Sequence, residues 1–262
     1  MIDPEILPRD LPESLSPLRD LSWQAITVGK SGAAVWRITL GDGNAVFLKT
    51  EPVHPLSELP GEIERLNWLT RMGFKAPRVI DAEQSGDRLW LLMSAVPGAD
   101  LTHYTGQPDT FVRAYAQGLK RLHALDTTTC PFDHSLDARL AAAEARLAAG
   151  LVDESDFDTA RAGWTGPQVL DWLHANRIAP GEAIVTHGDA STPNILALDG
   201  RFSGMVDCGR LGLADVWQDL ALACRSIAFN IGEQHVAPFL TAYGADWDEA
   251  KYRYYCTLDE MF

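Results

Sequence analysis

The amino-acid sequence predicts an α+β protein of two lobes, an antiparallel β lobe with one helix followed by a larger, mainly helical lobe. Two observations predict this class. The first third of the chain has short runs of valine, isoleucine, threonine and aromatic residues separated by glycine-rich turns. After Pro97-Gly98 the apolar residues follow helical spacing instead. We therefore expect one domain over residues 1–97 and a second over residues 98–262.

The first lobe begins with an antiparallel meander whose turns are GKSG and GDGN. Its predicted strands are 23–28, 33–40 and 44–50. A helix follows in SELPGEIERLNWLTRMG and ends at Gly73. Its apolar positions recur every three or four residues, at Leu59, Ile63, Leu66 and Leu69. The segment APRVIDAEQSGDRLWLLMSAV then returns to two strands around the turn SGD.

The second lobe is dominated by helical patterns. The first of these is marked by apolar residues at intervals of four, four and three: Phe111, Tyr115, Leu119 and Leu122. The other predicted helices are 135–150, 166–176, 213–229, 234–243 and 248–260. Three short strands, IVTHGD, NILALD and FSGMVD, interrupt these helices.

Composition and charge exclude several classes of function. The net charge of −14 argues against a nucleic-acid-binding protein, which needs a basic surface. The acidic, proline-rich beginning of the chain does not resemble a signal peptide, and no apolar run approaches the ~18 residues of a membrane span. The four cysteines are far apart in sequence. We therefore expect a cytoplasmic protein with free thiols and no membrane or nucleic-acid partner.

The negative charge is concentrated in the second lobe. Residues 1–97 carry 13 acidic and 10 basic side chains, a net charge of −3, and residues 98–262 carry 23 and 12, a net charge of −11. A solvated surface explains such an excess as well as a binding site for a cationic ligand does.

A glycine-rich turn, a lysine and a glutamate suggest a nucleotide site in the first lobe. GKS at 29–31 is not a P-loop, because Gln24 stands where that motif requires glycine and a strand follows instead of a helix. A turn between two strands can still cover phosphates with its backbone N–H groups, as in protein kinases, although a plain hairpin has the same sequence. Lys49 ends the third strand and Glu62 lies in the first turn of the next helix. Each residue alone is unremarkable, but kinases pair such a lysine and glutamate beside the α- and β-phosphates.

The stretch HGDASTPN, residues 187–194, matches the spacing of the kinase catalytic loop H-R-D-x-x-x-x-N. Asp189 stands at the position that orients the attacking hydroxyl, Asn194 at a Mg²⁺ ligand, and Gly188 replaces the arginine. Asp207, in DCG, stands where kinases have the main Mg²⁺ ligand of D-F-G. Any one of these residues is explained by a turn or a helix cap, but the whole set in this order indicates phosphoryl transfer.

The segment HGDASTPNILALDGRFSGMVDCGRLGLADVWQDLALA resembles the aminoglycoside 3′-phosphotransferases, the kanamycin and neomycin kinases of resistant bacteria. The resemblance covers nearly the whole chain and includes VTHGD, GRFSG, DCGRLG and the terminal LDE-F. It implies a protein-kinase-like fold that uses ATP and Mg²⁺, with Asn194 and Asp207 as the metal ligands. It also implies that MSAV meets adenine through its backbone, with Ser94 and Val96 as contacts, and that Ser31 lies by the phosphates.

The same resemblance implies a polycationic aminoglycoside as the substrate. The family's substrate contacts, besides Asp189, correspond here to Asp156, Asp158, Arg210, Arg225, Asp259, Glu260 and the α-carboxylate of Phe262. Carboxylates pair with ammonium groups through charge-assisted hydrogen bonds, so the acidic second lobe agrees with this substrate. Two positions depart from the family, which often has acidic residues where this chain has Thr159 and Ser226. These departures remove carboxylates and affect affinity or the range of drugs.

We therefore predict an ATP-dependent kinase of the aminoglycoside 3′-hydroxyl that confers antibiotic resistance and is a monomer or a weak dimer. One alternative is a kinase of another small amine or sugar, of the choline, macrolide or fructosamine type. A second alternative is a nucleotide-binding pseudokinase that acts as a regulator, but no catalytic position is degraded.

Overall fold

The computed structural model of this protein describes residues 11–26 and 33–262. The predicted phosphate-covering turn at 29–31, including Ser31, lies outside the described residues. The described chain is α+β, as predicted, with an antiparallel sheet in its first third and mostly helices after it. It divides into two compact units, one comprising residues up to Pro97 with Met205–Gly209 and the other Gly98–Gly204 with Arg210–Phe262.

The first unit contains a five-stranded antiparallel sheet in the order β1-β2-β3-β5-β4. Its strands are β1 (Ser22–Ile26), β2 (Ala34–Thr39), β3 (Ala45–Pro52), β4 (Val79–Ser85) and β5 (Arg88–Ser94). Its helix is α1 (Leu59–Arg71). The turn between β2 and β3 closes because Asp42 accepts a hydrogen bond from the Asn44 backbone, which is the usual role of aspartate in a tight turn.

The core of this unit places two charged residues at buried positions. Leu48 on β3 and Leu66 on α1 are fully buried, as their alternation and helical spacing predict. Lys49 on β3 is also buried, and Glu62 is on the buried side of α1, four residues before Leu66. Buried charges are rare in proteins unless they are paired, so these two residues are candidates for a functional site.

The second unit contains most of the helices, together with two small sheets. Its helices are α2 (Pro108–His123), α3 (Leu136–Ala148), α4 (Gly166–Ala175), α5 (Trp217–Ile231), α6 (Val236–Tyr243) and α7 (Glu249–Asp259). Its strands are β6 (Ala99–Asp100), β7 (Ala183–Thr186), β8 (Ile195–Leu198), β9 (Arg201–Met205, whose last residue belongs to the first unit) and β10 (Gly212–Asp215). β6, β8 and β9 form one sheet, and β7 pairs with β10 in the other.

Helix packing in this unit follows the predicted apolar spacing. The four residues that predicted α2 are all fully buried: Phe111, Tyr115, Leu119 and Leu122. α2 packs against α6, and α5 packs against α7. The four cysteines are free, as predicted, and the structure also buries all of them. No helix within the described residues is both long and apolar enough to cross a membrane.

The predicted helix over 213–229 is wrong at its beginning. Gly212–Asp215 is a strand whose residues pair antiparallel with β7, and the helix begins at Trp217. The carboxylate of Asp215 accepts a hydrogen bond from the Trp217 backbone N–H, and this bond marks the start of the helix.

The unit boundaries also differ from the expected domains at one segment. The sequence assigns Met205–Gly209 to the second domain, whereas the structure groups it with the first unit. The physical reason is twofold. The backbone N–H of Met205 donates to the carbonyl oxygen of Lys75, and Asp207 pairs with Lys49.

Candidate active site

A lysine held between two carboxylates is the main polar feature of the first unit. The Nζ atom of Lys49 lies 2.8 Å from Oε2 of Glu62 and 2.8 Å from Oδ1 of Asp207. The lysine is 6% exposed and the glutamate 1%. The structure thus brings together three residues that the sequence singled out from strand β3, helix α1 and the DCG motif.

The two carboxylates keep the lysine charged. Burial alone would lower the pKa of Lys49, but the attraction of Glu62 and Asp207 outweighs burial and raises that pKa well above its usual value. An ammonium group has three N–H donors. Two of them are used within the described residues, so one remains for an anionic ligand such as a phosphate oxygen.

Asp207 combines this ion pair with an unusual backbone conformation. Its φ angle is +57°, in the left-handed region that few non-glycine residues adopt. Its side chain is 43% exposed, in contrast to the buried Lys49 and Glu62. Such conformations cluster at functional sites, where neighbouring contacts hold the residue in place, and here Lys49 supplies one of those contacts.

The second unit carries the other candidate residues, in the loop after β7. Nδ2 of Asn194 donates two 3.0 Å hydrogen bonds, one to the carbonyl oxygen and one to Oδ2 of Asp189. The Asp189 backbone N–H in turn donates to Nδ1 of the fully buried His187, at 3.3 Å. The segment from Asp189 to Asn194 is therefore a loop closed by these hydrogen bonds, and the Asn194 amide holds the Asp189 carboxylate in position.

The structure explains why glycine follows His187 where kinases have arginine. Gly188 has φ +82°, and an added Cβ atom would lie 2.2 Å from the carbonyl oxygen of Arg210 and 2.8 Å from Nε2 of His134. A Cβ atom does not approach other atoms so closely, and L residues other than glycine disfavour this φ. Only glycine fits here, so the substitution is required by the close approach of the backbone at Arg210.

A buried aspartate on α5 binds the backbone of this loop, and the sequence analysis did not identify it. Asp219, on α5, is fully buried and accepts hydrogen bonds from the backbone N–H groups of His187 and Gly188, at 2.7 and 2.8 Å. Nε2 of His123 lies 2.9 Å from the same carboxylate. Burial alone would raise the pKa of Asp219, but the hydrogen bond and charge of His123 and the other contacts outweigh it and hold that pKa below its usual value. Asp219 is therefore an anion that fixes the loop.

Ser226 is a second support of the loop. Its hydroxyl oxygen accepts a 2.9 Å hydrogen bond from the Thr192 backbone N–H and lies 2.6 Å from the Thr192 hydroxyl. The Tyr115 hydroxyl donates to the carbonyl oxygen of Ala190 in the same loop. The sequence treated Ser226 only as a missing carboxylate, whereas the structure gives it a role in holding the loop.

The residues expected to bind Mg²⁺ have suitable chemistry. Because Asn194 uses its amide nitrogen for Asp189, its amide oxygen Oδ1 is the atom that a cation would meet. Asp207 offers a half-exposed carboxylate. Within the described part of the chain, no group of three or more His, Cys, Asp and Glu side chains could hold a metal. Each of these two oxygen donors suits Mg²⁺, which usually takes one or two protein oxygen ligands and completes its shell with water and phosphate oxygens.

The expected adenine contacts differ in their surroundings. The backbone N–H of Ser94 donates to the carbonyl oxygen of Arg78, and the Ser94 hydroxyl accepts from the Arg78 backbone N–H. The backbone donor of Ser94 is therefore engaged at the end of β5. Val96 follows this strand and is half-buried, so it is the better candidate for a backbone hydrogen bond to a base.

The expected substrate carboxylates are largely paired with arginines of the protein itself. Arg161 bonds to both Asp158 and Glu260, and Arg225 bonds to Asp259. Asp156 is exposed, at the end of the short helix Glu154–Asp156.

The pKa values of the two C-terminal carboxyls move in opposite directions. Burial alone would raise the pKa of Asp259, but Arg225 and Arg210 outweigh it and hold that pKa below its usual value. Burial and the Asp158 carboxylate raise the pKa of Glu260 to about 7, although Arg161 opposes this rise. Asp259 is therefore ionised across the neutral range, whereas Glu260 titrates within it.

The C-terminal residue lies against guanidinium groups. The Cζ atom of Arg139 is 3.4 Å from the ring centroid of Phe262, and that of Arg210 is 5.3 Å from it. Nε of Arg146 donates to the carbonyl oxygen of Met261 at 3.0 Å. Cation–π contacts of this kind add to the packing of an aromatic ring, so the last two residues are anchored in the second unit.

Comparison with known proteins identifies the family. Residues 22–255 match the Phosphotransferase enzyme family. The chain is 37% identical to an aminoglycoside 3′-phosphotransferase of Streptomyces fradiae, over 92% of this chain and 95% of that protein.

Two solved structures share the fold over nearly the whole chain. One is an aminoglycoside-3′-phosphotransferase of type VIII, with a TM-score of 0.82, 36% identity and coverage of 92% of this chain and 94% of that one. The other is the aminoglycoside phosphotransferase APH(3″)-Id of Streptomyces rimosus in complex with ADP and streptomycin. Its TM-score is 0.78, its identity 25%, and the match covers 95% of each chain.

The predicted fold and the predicted family are therefore confirmed. This chain belongs to the phosphotransferase enzyme family, among the aminoglycoside 3′-phosphotransferases.

Proposed function

We propose that this protein transfers the γ-phosphate of ATP to the 3′-hydroxyl of aminoglycosides of the kanamycin and neomycin type, and so confers resistance to them. The observation that carries the proposal is the Asp189–Asn194 pair, whose hydrogen bonds hold a carboxylate in the HGD loop of a chain that belongs to this family. The relative that is 37% identical is itself an aminoglycoside 3′-phosphotransferase.

Asp189 is the proposed catalytic residue. Asn194 donates to Oδ2 of its carboxylate, and Asp219 anchors the backbone of the two residues before it. A carboxylate fixed in this way can accept the proton of the sugar hydroxyl and hold its oxygen in line with the phosphorus atom.

Lys49 is proposed to bind the α- and β-phosphates, with Glu62 holding its ammonium group in position. Its raised pKa keeps the ammonium protonated throughout the neutral pH range. Ser31, Ser94 and Val96 are proposed as further nucleotide contacts. Asn194 and Asp207 are the proposed ligands of Mg²⁺, which would neutralise phosphate charge when bound.

The proposed substrate site uses the acidic loop and the C-terminal segment of the second unit. Its members are Asp156, Asp158, Arg210, Arg225, Asp259, Glu260 and the Phe262 carboxylate. An aminoglycoside is a polycation at neutral pH, so carboxylates are the groups expected to recognise it. We place the reaction in the cytoplasm, where ATP is available, and the four free, buried cysteines are compatible with that compartment.

The experiment that tests the substrate is coupled measurement of ADP release with kanamycin B and with its 3′-deoxy analogue tobramycin. Kanamycin B should be turned over and tobramycin should not, because it lacks the acceptor hydroxyl. Choline and erythromycin, in the same assay, test the alternative small-molecule kinases. Equal turnover of the two aminoglycosides would exclude the 3′-hydroxyl, and turnover of choline or erythromycin alone would overturn the substrate class.

The matched variant is Asp189→Ala. It should bind nucleotide like the wild type in calorimetry, because Asp189 is proposed to touch the hydroxyl and not the nucleotide. Its kcat should fall by about 100-fold or more. A variant that keeps more than about a tenth of the wild-type kcat would contradict the catalytic assignment.

A further inference from the structure

The acidic part of the proposed substrate site contains a cation of its own. Arg161 ends the short helix Thr159–Arg161 and is 6% exposed. Its guanidinium group bonds to Oδ2 of Asp158 through Nη2, to Oε1 of Glu260 through Nε at 2.9 Å, and to the Thr257 hydroxyl through Nη1 at 3.1 Å. All three nitrogens therefore have partners, and these partners come from both the acidic loop and the C-terminal segment.

This arrangement holds the two carboxylates close to each other. The backbone N–H of Asp158 also lies 3.3 and 3.2 Å from the two carboxylate oxygens of Glu260. Two negative charges share a single guanidinium, which leaves one net negative charge in this group. The pKa of Glu260, raised to about 7 by burial and by Asp158, agrees with an incomplete compensation of charge.

The consequence for a ligand follows from this charge count. An ammonium group that approaches Asp158 and Glu260 meets one net negative charge instead of two, because the guanidinium bonded to these carboxylates repels it and offsets part of their attraction. A hydroxyl group can donate to the remaining lone pairs of the same oxygens and carries no charge to be repelled. The buried arginine therefore weakens the attraction for an amine and leaves the binding of a hydroxyl at the same place nearly unchanged.

We propose that Arg161 is a specificity-determining residue, which lowers the preference for aminoglycosides that present an amine, relative to those that present a hydroxyl, to Asp158 and Glu260. This inference rests on the proposed function, because it takes that pair as part of the aminoglycoside site. It deepens that function by naming a substrate class: among drugs that differ by a single amine, Arg161 shifts the selectivity toward the less charged one.

The test uses pairs of aminoglycosides that differ by one amine replaced with a hydroxyl, namely neomycin with paromomycin and kanamycin B with kanamycin A. The quantity measured is the kcat/KM of the amine form divided by that of the hydroxyl form. Arg161→Gln removes the charge but keeps a polar side chain, and it should raise this ratio by about five- to twentyfold for at least one pair. Arg161→Lys keeps the charge and should leave the ratio within about twofold of the wild type.

Two further variants separate specificity from structure. Arg177→Gln is the matched control, because Arg177 is an exposed arginine that pairs with the exposed Asp137, and it should leave the ratio unchanged. Glu260→Gln leaves the guanidinium with one carboxylate fewer and should lower the ratio for the same pair, in the opposite direction to Arg161→Gln. This second variant keeps the test decisive if Arg161→Gln does not fold.

The outcomes distinguish this inference from the proposed function. If the wild type phosphorylates no aminoglycoside, the proposed function fails, and the ratio of the dissociation constants in calorimetry replaces the kinetic ratio. An unchanged ratio in both Arg161→Gln and Glu260→Gln would overturn the role of Arg161. An equal fall in kcat/KM for the amine and the hydroxyl form of each pair in Arg161→Gln would also overturn it. A purely structural arginine would affect both forms alike.

Discussion

Replacing Lys49 by methionine should destabilise the nucleotide-free protein in a pH-dependent manner. In the wild type, the ammonium group lies 2.8 Å from both Glu62 and Asp207. Glu62 is 1% exposed, so a variant without the ammonium group leaves a buried carboxylate that lacks this counter-charge. Removing one partner of a buried ion pair costs about 3–5 kcal/mol, because the other charge is left uncompensated.

The size of the effect depends on pH, since Glu62 can escape the penalty by taking up a proton. Burial is the largest influence on its pKa and raises it, while Lys49 opposes that rise. Without the lysine, burial and the nearby Asp207 carboxylate act unopposed, so the folded pKa of Glu62 should rise further above its unfolded value.

The sign follows from linkage. A group whose folded pKa is raised contributes stability below its unfolded pKa and loses it as pH rises through the folded value. The cost in Lys49→Met should therefore be larger at pH 8 than at pH 5.5, by about 3 kcal/mol, the lower end of the penalty for an uncompensated buried charge, because protonation of Glu62 at the lower pH removes that charge. For a chain of this size, that corresponds to a further fall in Tm of about 6–12 °C.

Scanning calorimetry without nucleotide, at pH 5.5 and pH 8, measures this difference. Lys75→Met is the matched control, because Lys75 is an exposed lysine of the same unit, and its Tm should follow that of the wild type at both pH values. The double variant Lys49→Met/Glu62→Gln removes the titrating group and should lose the extra pH dependence. The reasoning is refuted if Lys49→Met shows the same pH dependence of Tm as Lys75→Met.

Three further predictions concern the loop that carries Asp189. Gly188→Ala should lower kcat by about 100-fold or more, because its Cβ atom would lie 2.2 Å from the Arg210 carbonyl oxygen; near-normal steady-state turnover would contradict this geometry. Asp219→Asn should lower the free energy of unfolding by about 2–4 kcal/mol and remove most of the kcat, because it neutralises a buried anion that binds two loop N–H groups. Urea denaturation and single-turnover kinetics measure the two effects. An unaltered denaturation midpoint would contradict the role of Asp219 as an anchor of the loop. Ser226→Ala should lower the free energy of unfolding by about 1–2 kcal/mol and lower kcat, because Ser226 bonds to Thr192. The aminoglycoside dissociation constant should not change. Weaker drug binding in calorimetry, at an unchanged steady-state kcat, would assign Ser226 to the substrate site instead.

Local patterns predicted most of the fold. The strands of the first unit and the helix over 59–71 follow from residue alternation, turn residues and apolar spacing, all of which act within a few residues. The strand Gly212–Asp215 was missed because it exists only by pairing with Ala183–Thr186, about thirty residues earlier in the chain. Long-range pairing of this kind overrides local helical preference.

The candidate site divides in the same way. Lys49 and Glu62 were predicted because their order along the chain matches a known chemical arrangement, and the structure pairs them directly. Arg161 had no sequence signal, because its partner Glu260 is 99 residues away. Asp219 was visible in WQDLALA, but it could be assigned only once its two loop bonds were known.

The placement of Met205–Gly209 with the first unit has a consequence for biosynthesis. The backbone passes from one unit to the other three times, after Pro97, Gly204 and Gly209. The partners Lys49 and Asp207 are 158 residues apart in the chain. At about 5–20 residues per second, a ribosome needs roughly 8–30 s to add the second partner after the first. During synthesis, Lys49 can therefore pair with Asp207 only after residues 98–204 of the second unit have been translated. A fragment that stops at Pro97 would keep Lys49 and Glu62 but never contain Asp207, so the first unit cannot be isolated intact by simple truncation.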